Sequence, residues 1–175
     1  MNAAAPALAP IFFAKVLEEI DLAERLLTRV PEEKLDWRPA LPAGARTPRS
    51  IGELLGHLLE CLAGFCAVLY ALDPGRFGRL QELRSLPVNH RCGVAEAQER
   101  FRRYRAEIEA GSAALDDRDL ARMVPTLFTP EGEPALTLLL GNLEHLVNHK
   151  LELFFYLKLA GLGLSSRDLY RFRGE

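Results

Sequence analysis

Two histidines four residues apart, His145 and His149, are spaced to bind a metal ion. In an α-helix this spacing places two side chains one turn apart on the same face, with Cβ atoms roughly 5–6 Å from each other. Two imidazoles in that arrangement can coordinate one ion, at about 2.0–2.1 Å from each nitrogen. The same spacing also occurs where two histidines are only hydrogen-bonded within a helical protein, so the pair alone does not decide between the interpretations.

A third histidine, His57, lies in the apolar segment IGELLGHLLECLAG at residues 51–64. If its helix packs face to face with the helix of the pair, the three imidazoles can form one set. Three neutral imidazoles that leave a fourth position open are typical of a catalytic or labile metal site, and imidazole suits zinc, nickel, copper and iron alike. Leu146 follows His145, so the HExxH pattern of zinc proteases is excluded. The sequence also lacks the GxSxG motif that would indicate the serine of a Ser-His-Asp triad.

Several neighbours of the histidines have a structural and a chemical interpretation. Glu152 and Tyr156 fall on the same helical face as the pair, and either could move a proton or orient a substrate. Cys61 lies one turn after His57; it is either a metal ligand or reactive thiol or, as we prefer, a small buried hydrophobe. We expect His90, in a polar loop, to be exposed to solvent.

The elements that must position these residues are four long helices, because four segments have apolar residues at helical spacing. Ser50 and Glu53 predict a capping box at the start of the second helix, although Glu53 could instead orient His57. Pro134 is expected at the first position of the last helix and Gly161 at its C-terminal cap. The predicted helices span about Pro10–Val30, Ile51–Leu72, Val94–Leu115 and Pro134–Gly161. Between them we predict an irregular stretch at 74–93, a break at the DDRD of residues 116–119, and an extended piece or small hairpin within 120–134.

The composition predicts one all-α domain over residues 1–175, a four-helix bundle with long connections between helices. The chain has 175 residues, of which 49% are hydrophobic and 26% charged, and a net charge of -2. That balance argues against nucleic-acid binding and against adhesion to anionic membranes. We predict a cytoplasmic protein, because the three cysteines lack paired spacing and the N-terminus is unlike a signal peptide. We predict no membrane span, because the apolar-rich segment 135–160 contains polar residues.

Three stretches in order resemble the DinB/YfiT-like superfamily of metal-binding four-helix bundles. They are LDWRP at 35–39, SIGELLGHL at 50–58 and NLEHLVNHKLELFFYLKLAG at 142–161. The resemblance implies that His57, His145 and His149 bind a divalent metal, with zinc or nickel expected, and that the protein is a homodimer. The sequence departs from the frequent H-R-G-Q of the family, since His149 is followed by Lys150, Leu151 and Glu152.

Two functions remain open at this point. The resemblance implies a metal-dependent enzyme that transfers a low-molecular-weight thiol to a small-molecule substrate, or catalyses a related isomerisation. The alternative is a non-catalytic metal-binding or stress-response scaffold that acts as a dimer. For the dimer, we note apolar residues of the last helix that lie opposite the histidines, although a deep monomer core would explain the same pattern: Leu139, Leu143, Leu146, Leu153 and Leu157.

Overall fold

A computed structural model describes residues 7–42, 44–127 and 129–171, and its regular structure is almost all helical. The prediction of an all-α fold is therefore confirmed. Two short strands, β1 (Met123–Val124) and β2 (Glu133–Pro134), form a small antiparallel hairpin in the segment where an extended piece was expected. The helices are α1 (Leu8–Leu27), α2 (Ile51–Leu72), α3 (Leu80–Arg84), α4 (Val94–Ser112), α5 (Asp117–Ala121) and α6 (Ala135–Leu159), with 3-10 turns at Glu32–Lys34 and Ser166–Asp168.

The four long helices pack around one core, with α2 at its centre. Helix α2 lies against α6 and α4, and α1 closes the arrangement by packing against both α4 and α6. Among the described residues, helix α2, rather than the segment 135–160, is the one long and apolar enough to cross a membrane. However, 72% of its apolar window is buried inside the protein. Its hydrophobic composition is therefore that of a core helix.

The two helices that carry the histidines have the predicted terminal signals. The Ser50 hydroxyl accepts from the Glu53 backbone N–H at 3.2 Å, and the Glu53 carboxylate accepts from the Ser50 N–H at 2.8 Å, which is a capping box. At the end of α6, Gly161 adopts a positive φ of 97°, and the N–H of Leu162 donates to the carbonyl of Leu157 at 2.9 Å. This pattern satisfies carbonyl groups that the helix end would otherwise leave unpaired.

The structure corrects three boundary predictions. Helix α1 ends at Leu27 rather than near Val30, because Pro31 disfavours helical geometry at the residue before it and the chain closes with tighter turns, in which Arg29 and Val30 donate to the Leu26 and Leu27 carbonyls. Pro134 pairs with Met123 in the hairpin, so α6 begins one residue later. Helix α4 ends at Ser112 rather than near Leu115, and after this break the DDRD segment begins α5, since the Asp116 carboxylate accepts backbone N–H groups at the start of that helix.

The apolar residues of α6 noted above are accounted for by the core of the single chain. Four of the five are buried, and Leu143 is half-buried. A different set of α6 side chains, Leu140, Leu151, Phe155 and Leu159, is exposed. The homodimer therefore stays a prediction, and the residues that suggested it do not require it.

One residue beyond His149, a buried lysine ties α6 to its neighbours. The Lys150 ammonium is 4% exposed and pairs with the carboxylate of Glu19 on α1, which is 5% exposed. The same ammonium donates to the Leu169 carbonyl at 3.1 Å, and Lys15 contacts the other side of the Glu19 carboxylate at 2.6 Å. These contacts fix the rotation of α6 about its axis, and with it the direction of the adjacent histidine.

We expect Glu19→Leu to lower the free energy of unfolding by about 3–5 kcal/mol, because it leaves the Lys150 charge buried without a partner. Urea denaturation followed by circular dichroism measures the loss. The double variant Glu19→Leu/Lys150→Met should recover much of it, because both charges are then removed together. Equal stability of the single variant and the natural protein would contradict a buried, paired lysine.

Candidate metal centre

Helices α2 and α6 bring three histidines together at one point. The Nε2 atom of His57 lies 2.9 Å from Nε2 of His149 and 3.1 Å from Nε2 of His145. His57 is buried and the other two are half-buried, and their ligand atoms lie within 4.8 Å of one another. The facing arrangement that the sequence analysis required for a three-histidine set is therefore present, with its ε-nitrogens pointing inward.

The outer nitrogens of two rings are held by oxygen atoms. His57 Nδ1 lies 2.6 Å from Asn89 Oδ1 and 3.0 Å from the Glu60 carboxylate. His149 Nδ1 lies 2.7 Å from the Glu152 carboxylate. Amide and carboxylate oxygens accept hydrogen bonds, so in both rings the proton of the neutral imidazole belongs on Nδ1 and the lone pair on Nε2.

This assignment creates a polar contact that only a positive charge can satisfy. The lone pairs of His57 and His149 face each other across 2.9 Å, with no hydrogen between them in the neutral form. Burial lowers the pKa of His57 and of His145, and the neighbouring imidazoles lower both further, which favours the neutral rings. Neutral imidazole nitrogens directed at one point form a donor set that fits a divalent metal ion.

Glu152 is engaged on both sides. Its hydrogen bond to His149 lowers the pKa of the Glu152 carboxyl, with a further contribution from the Tyr156 hydroxyl. Burial and the Glu152 carboxylate raise the pKa of Tyr156 to about 12, so Tyr156 stays protonated and donates to Glu152. The edge of the Trp37 ring packs against Tyr156, with centroids 5.8 Å apart. Glu152 thus helps to hold the His149 ring in its orientation.

Two cavities lie near the histidines. One, of about 300 Å³, is lined by Arg46, Arg49 and Glu152 together with the chain between the two arginines. The charge of Arg49 also lowers the pKa values of His57 and His145. The other cavity, of about 400 Å³, is lined in part by His145. This second cavity therefore opens onto the centre, whereas the basic one lies beside Glu152, the residue that contacts His149.

Comparison with known proteins gives the family. The family model of the DinB superfamily matches residues 17–153, a range that contains all three histidines. The chain belongs to the DinB superfamily. The crystal structure of a DinB-like protein from Bacillus subtilis matches with a TM-score of 0.64 and 20% sequence identity, covering 87% of this chain and 94% of that one. At this identity the likeness shows the fold alone. No curated protein matches the sequence.

In this DinB-superfamily protein, Asn89 is a site residue that the sequence analysis missed. Its φ of 60° lies in the left-handed region, which asparagine tolerates better than most residues. Its N–H donates to the Gly56 carbonyl at 3.0 Å, and a Cβ on Gly56 would lie 1.9 Å from the carbonyl oxygen of His90. Gly56 therefore allows the loop that contains Asn89 to pack closely against α2, and this places the Asn89 amide beside His57. The glycines at positions 52 and 56 were the available signal of this close approach.

Cys61 is buried, as preferred from the sequence, and burial raises the pKa of its thiol to about 12. It contacts the His57 carbonyl within its own helix, and it is not part of the histidine cluster. Glu53 completes the capping box and also pairs with Arg38 at 2.7 Å, so it has no role at His57.

The expectation that His90 is exposed was wrong. The loop packs against α2, so His90 is only half-exposed, and its Nε2 lies 2.8 Å from the Glu96 carboxylate. With Cys92 these residues form a second group that could hold a cation. In this group, however, the Glu96 carboxylate is exposed, is held by His90 and has the Arg100 guanidinium 3.8 Å away. The three histidines, whose ε-nitrogens converge, are therefore the stronger candidate for a metal centre.

We expect Asn89→Gly to weaken zinc binding about 10–100-fold, the usual effect of removing a group that orients a metal-binding histidine. Glycine keeps the positive φ, so the change removes the amide without straining the loop. Asn89→Asp is the matched control, because its carboxylate restores an acceptor for His57 Nδ1 and should retain affinity. Competition with a fluorescent zinc chelator measures both. Unchanged affinity in the glycine variant would show that Asn89 does not orient the ring.

Proposed function

We propose that the protein is a divalent-metal enzyme that transfers a low-molecular-weight thiol to an electrophilic small molecule, or catalyses a related isomerisation. The observation that carries the proposal is the convergence of three imidazole ε-nitrogens, of which those of His57 and His149 face each other with no proton between them in the neutral form. Two facts support it: membership of the DinB superfamily, which is generally metal-binding, and a cavity that His145 helps to line. A reaction at the centre requires such an opening for its substrates.

His57, His145 and His149 would hold the metal, and zinc and nickel are the ions we expect with imidazole ligands. Bound there, a divalent ion supplies a positive charge that lowers the pKa of a thiol and favours its thiolate form. Side chains of the protein orient two of the imidazoles for this role. Asn89 and Glu152 hold protons on the outer nitrogens of two rings, and the rings are thereby kept in the orientation that directs their lone pairs inward.

The proposed transfer breaks the thiol S–H bond and forms a C–S bond to the electrophile. The thiol proton passes to solvent, and the leaving group departs with the electron pair of the broken bond. In an isomerisation, the C–S bond breaks again after the substrate has rearranged, and the thiol is returned. Arg49, whose charge reaches the centre, favours the anionic form of the thiol. Glu152 is a positioning residue, since both of its contacts support His149.

A non-catalytic scaffold is the weaker proposal. A metal that only stabilises a fold has four protein ligands and a closed site. In the part of the chain that the structure describes, three residues converge at this point, and one of them, His145, lines a cavity. This arrangement resembles catalytic centres more closely than structural ones.

We expect protein purified without a polyhistidine tag to contain up to one divalent ion per chain, and His149→Ala to lose it. The variant removes one of the three imidazoles, and metal analysis by mass spectrometry measures the content. His90→Ala and Cys61→Ala are controls, because each removes a potential ligand outside the proposed centre and should keep the metal. Stoichiometric metal retained by His149→Ala would contradict the assignment.

For turnover, we expect the metal-loaded protein to accelerate the reaction of a cellular thiol with a chromogenic haloarene. A panel of such thiols, each followed by absorbance, identifies the co-substrate. Chelation should abolish the acceleration and added zinc or nickel should restore it, because the proposed chemistry needs the thiolate. Equal rates for metal-loaded and metal-free protein across the panel would favour the scaffold.

A further inference from the structure

The cavity beside His145 continues into a larger groove between α2 and α6. The groove has a volume of about 710 Å³ and extends from the centre toward the β1–β2 hairpin. Gly64, Ala67, Arg84 and Asn142 line both cavities, so the two are continuous. A molecule lying in the groove would therefore have one end next to His145 and the remainder along the helices.

The walls of the groove are mostly apolar beyond this junction. Val68 and Ala71 come from α2, Leu138 from α6, and Val124 and Pro125 from the hairpin. Burial of an alkyl chain or an aromatic ring against such walls is favourable, by about fourfold in affinity for each methylene removed from water. Size and composition thus fit the apolar body of a small molecule.

One positive charge lies at the junction of the two cavities. The Arg84 guanidinium stacks on the Tyr70 ring at 4.4 Å and donates from Nε to the Gln81 side chain at 3.0 Å. Among the described residues no carboxylate forms a salt bridge with Arg84.

The two acidic residues that line the cavities have partners of their own. Glu60 contacts His57, and Glu133 accepts from the Thr129 hydroxyl at 2.9 Å. An anionic group on a ligand would therefore bind at Arg84, because a planar guanidinium can donate two hydrogen bonds to a carboxylate.

We infer that the groove binds the electrophile of the reaction, and that this substrate is a carboxylate with an apolar chain or ring. Its carboxylate would lie at Arg84, its apolar body in the groove, and its reactive carbon on the side of His145. The inference rests on the proposed function for the chemistry. The basic cavity at Arg46, Arg49 and Glu152, which shares no lining residue with the groove, is then left for the thiol.

Binding can be tested without turnover, with straight-chain carboxylates as probes. Isothermal titration of the full-length protein with butanoate, hexanoate and octanoate should show affinity rising about fourfold per methylene. Arg84→Gln should weaken octanoate binding at least about tenfold, because it removes a charged hydrogen-bond donor. It should leave 1-octanol binding unchanged. Arg118→Gln is the matched control, an exposed arginine outside the groove.

A second variant tests the apolar wall. Ala67→Phe should fill the groove and abolish octanoate binding, with its fold checked by circular dichroism. The same titrations in His149→Ala separate the two proposals, since octanoate should still bind there if the groove alone recognises it. Absence of octanoate binding, an equal loss in Arg84→Gln and Arg118→Gln, or a loss in Arg49→Gln but not in Arg84→Gln would overturn the inference.

Discussion

The close approach of α2 and α6 is the constraint on which the centre depends. A Cβ on Gly64 would lie 2.3 Å from the Asn142 side-chain oxygen, so a residue with a side chain there would force the helices apart or displace the amide. His57 lies seven residues before Gly64, and His149 lies seven residues after Asn142. Seven residues are about two turns and roughly 10 Å of an α-helix. In an antiparallel pair, the contact at the glycine therefore sets the register that brings the two imidazoles together.

The rotation of α6 needs a second fixed point, and the buried ion pair supplies it. Lys150 follows His149 directly, so the two side chains leave the helix about 100° apart. With the Lys150 ammonium held by Glu19 of α1 and by the Leu169 carbonyl, His149 turns toward α2. At the position after the last histidine, where the family frequently has arginine, this chain thus uses a lysine to anchor the helix.

The predictions that succeeded rest on local patterns, and those that failed depend on tertiary contacts. The span of α2 follows from its apolar run and from the Ser50 capping box, both of which act within a few residues of sequence. The i, i+4 spacing of His145 and His149 likewise fixes a shared face. Neither pattern reports that a loop 32 residues away contacts His57 through Asn89, since that contact depends on the packing of the loop against glycines of α2. The burial of Lys150 is hidden for the same reason: lysine is rarely buried without a partner, and its partner lies 131 residues away.

The two cavities also bear on how the centre can discriminate between molecules. The side at Arg46 and Arg49 is polar and basic, whereas the groove beyond His145 is apolar with a cation at its entrance. A small polar thiol gains little from apolar walls, and an apolar chain gains little beside two exposed guanidinium groups. Under the proposed function, the thiol would therefore favour the basic cavity and the electrophile the groove. Two separate cavities would give the two reactants distinct positions near the histidines, which a single pocket does not provide.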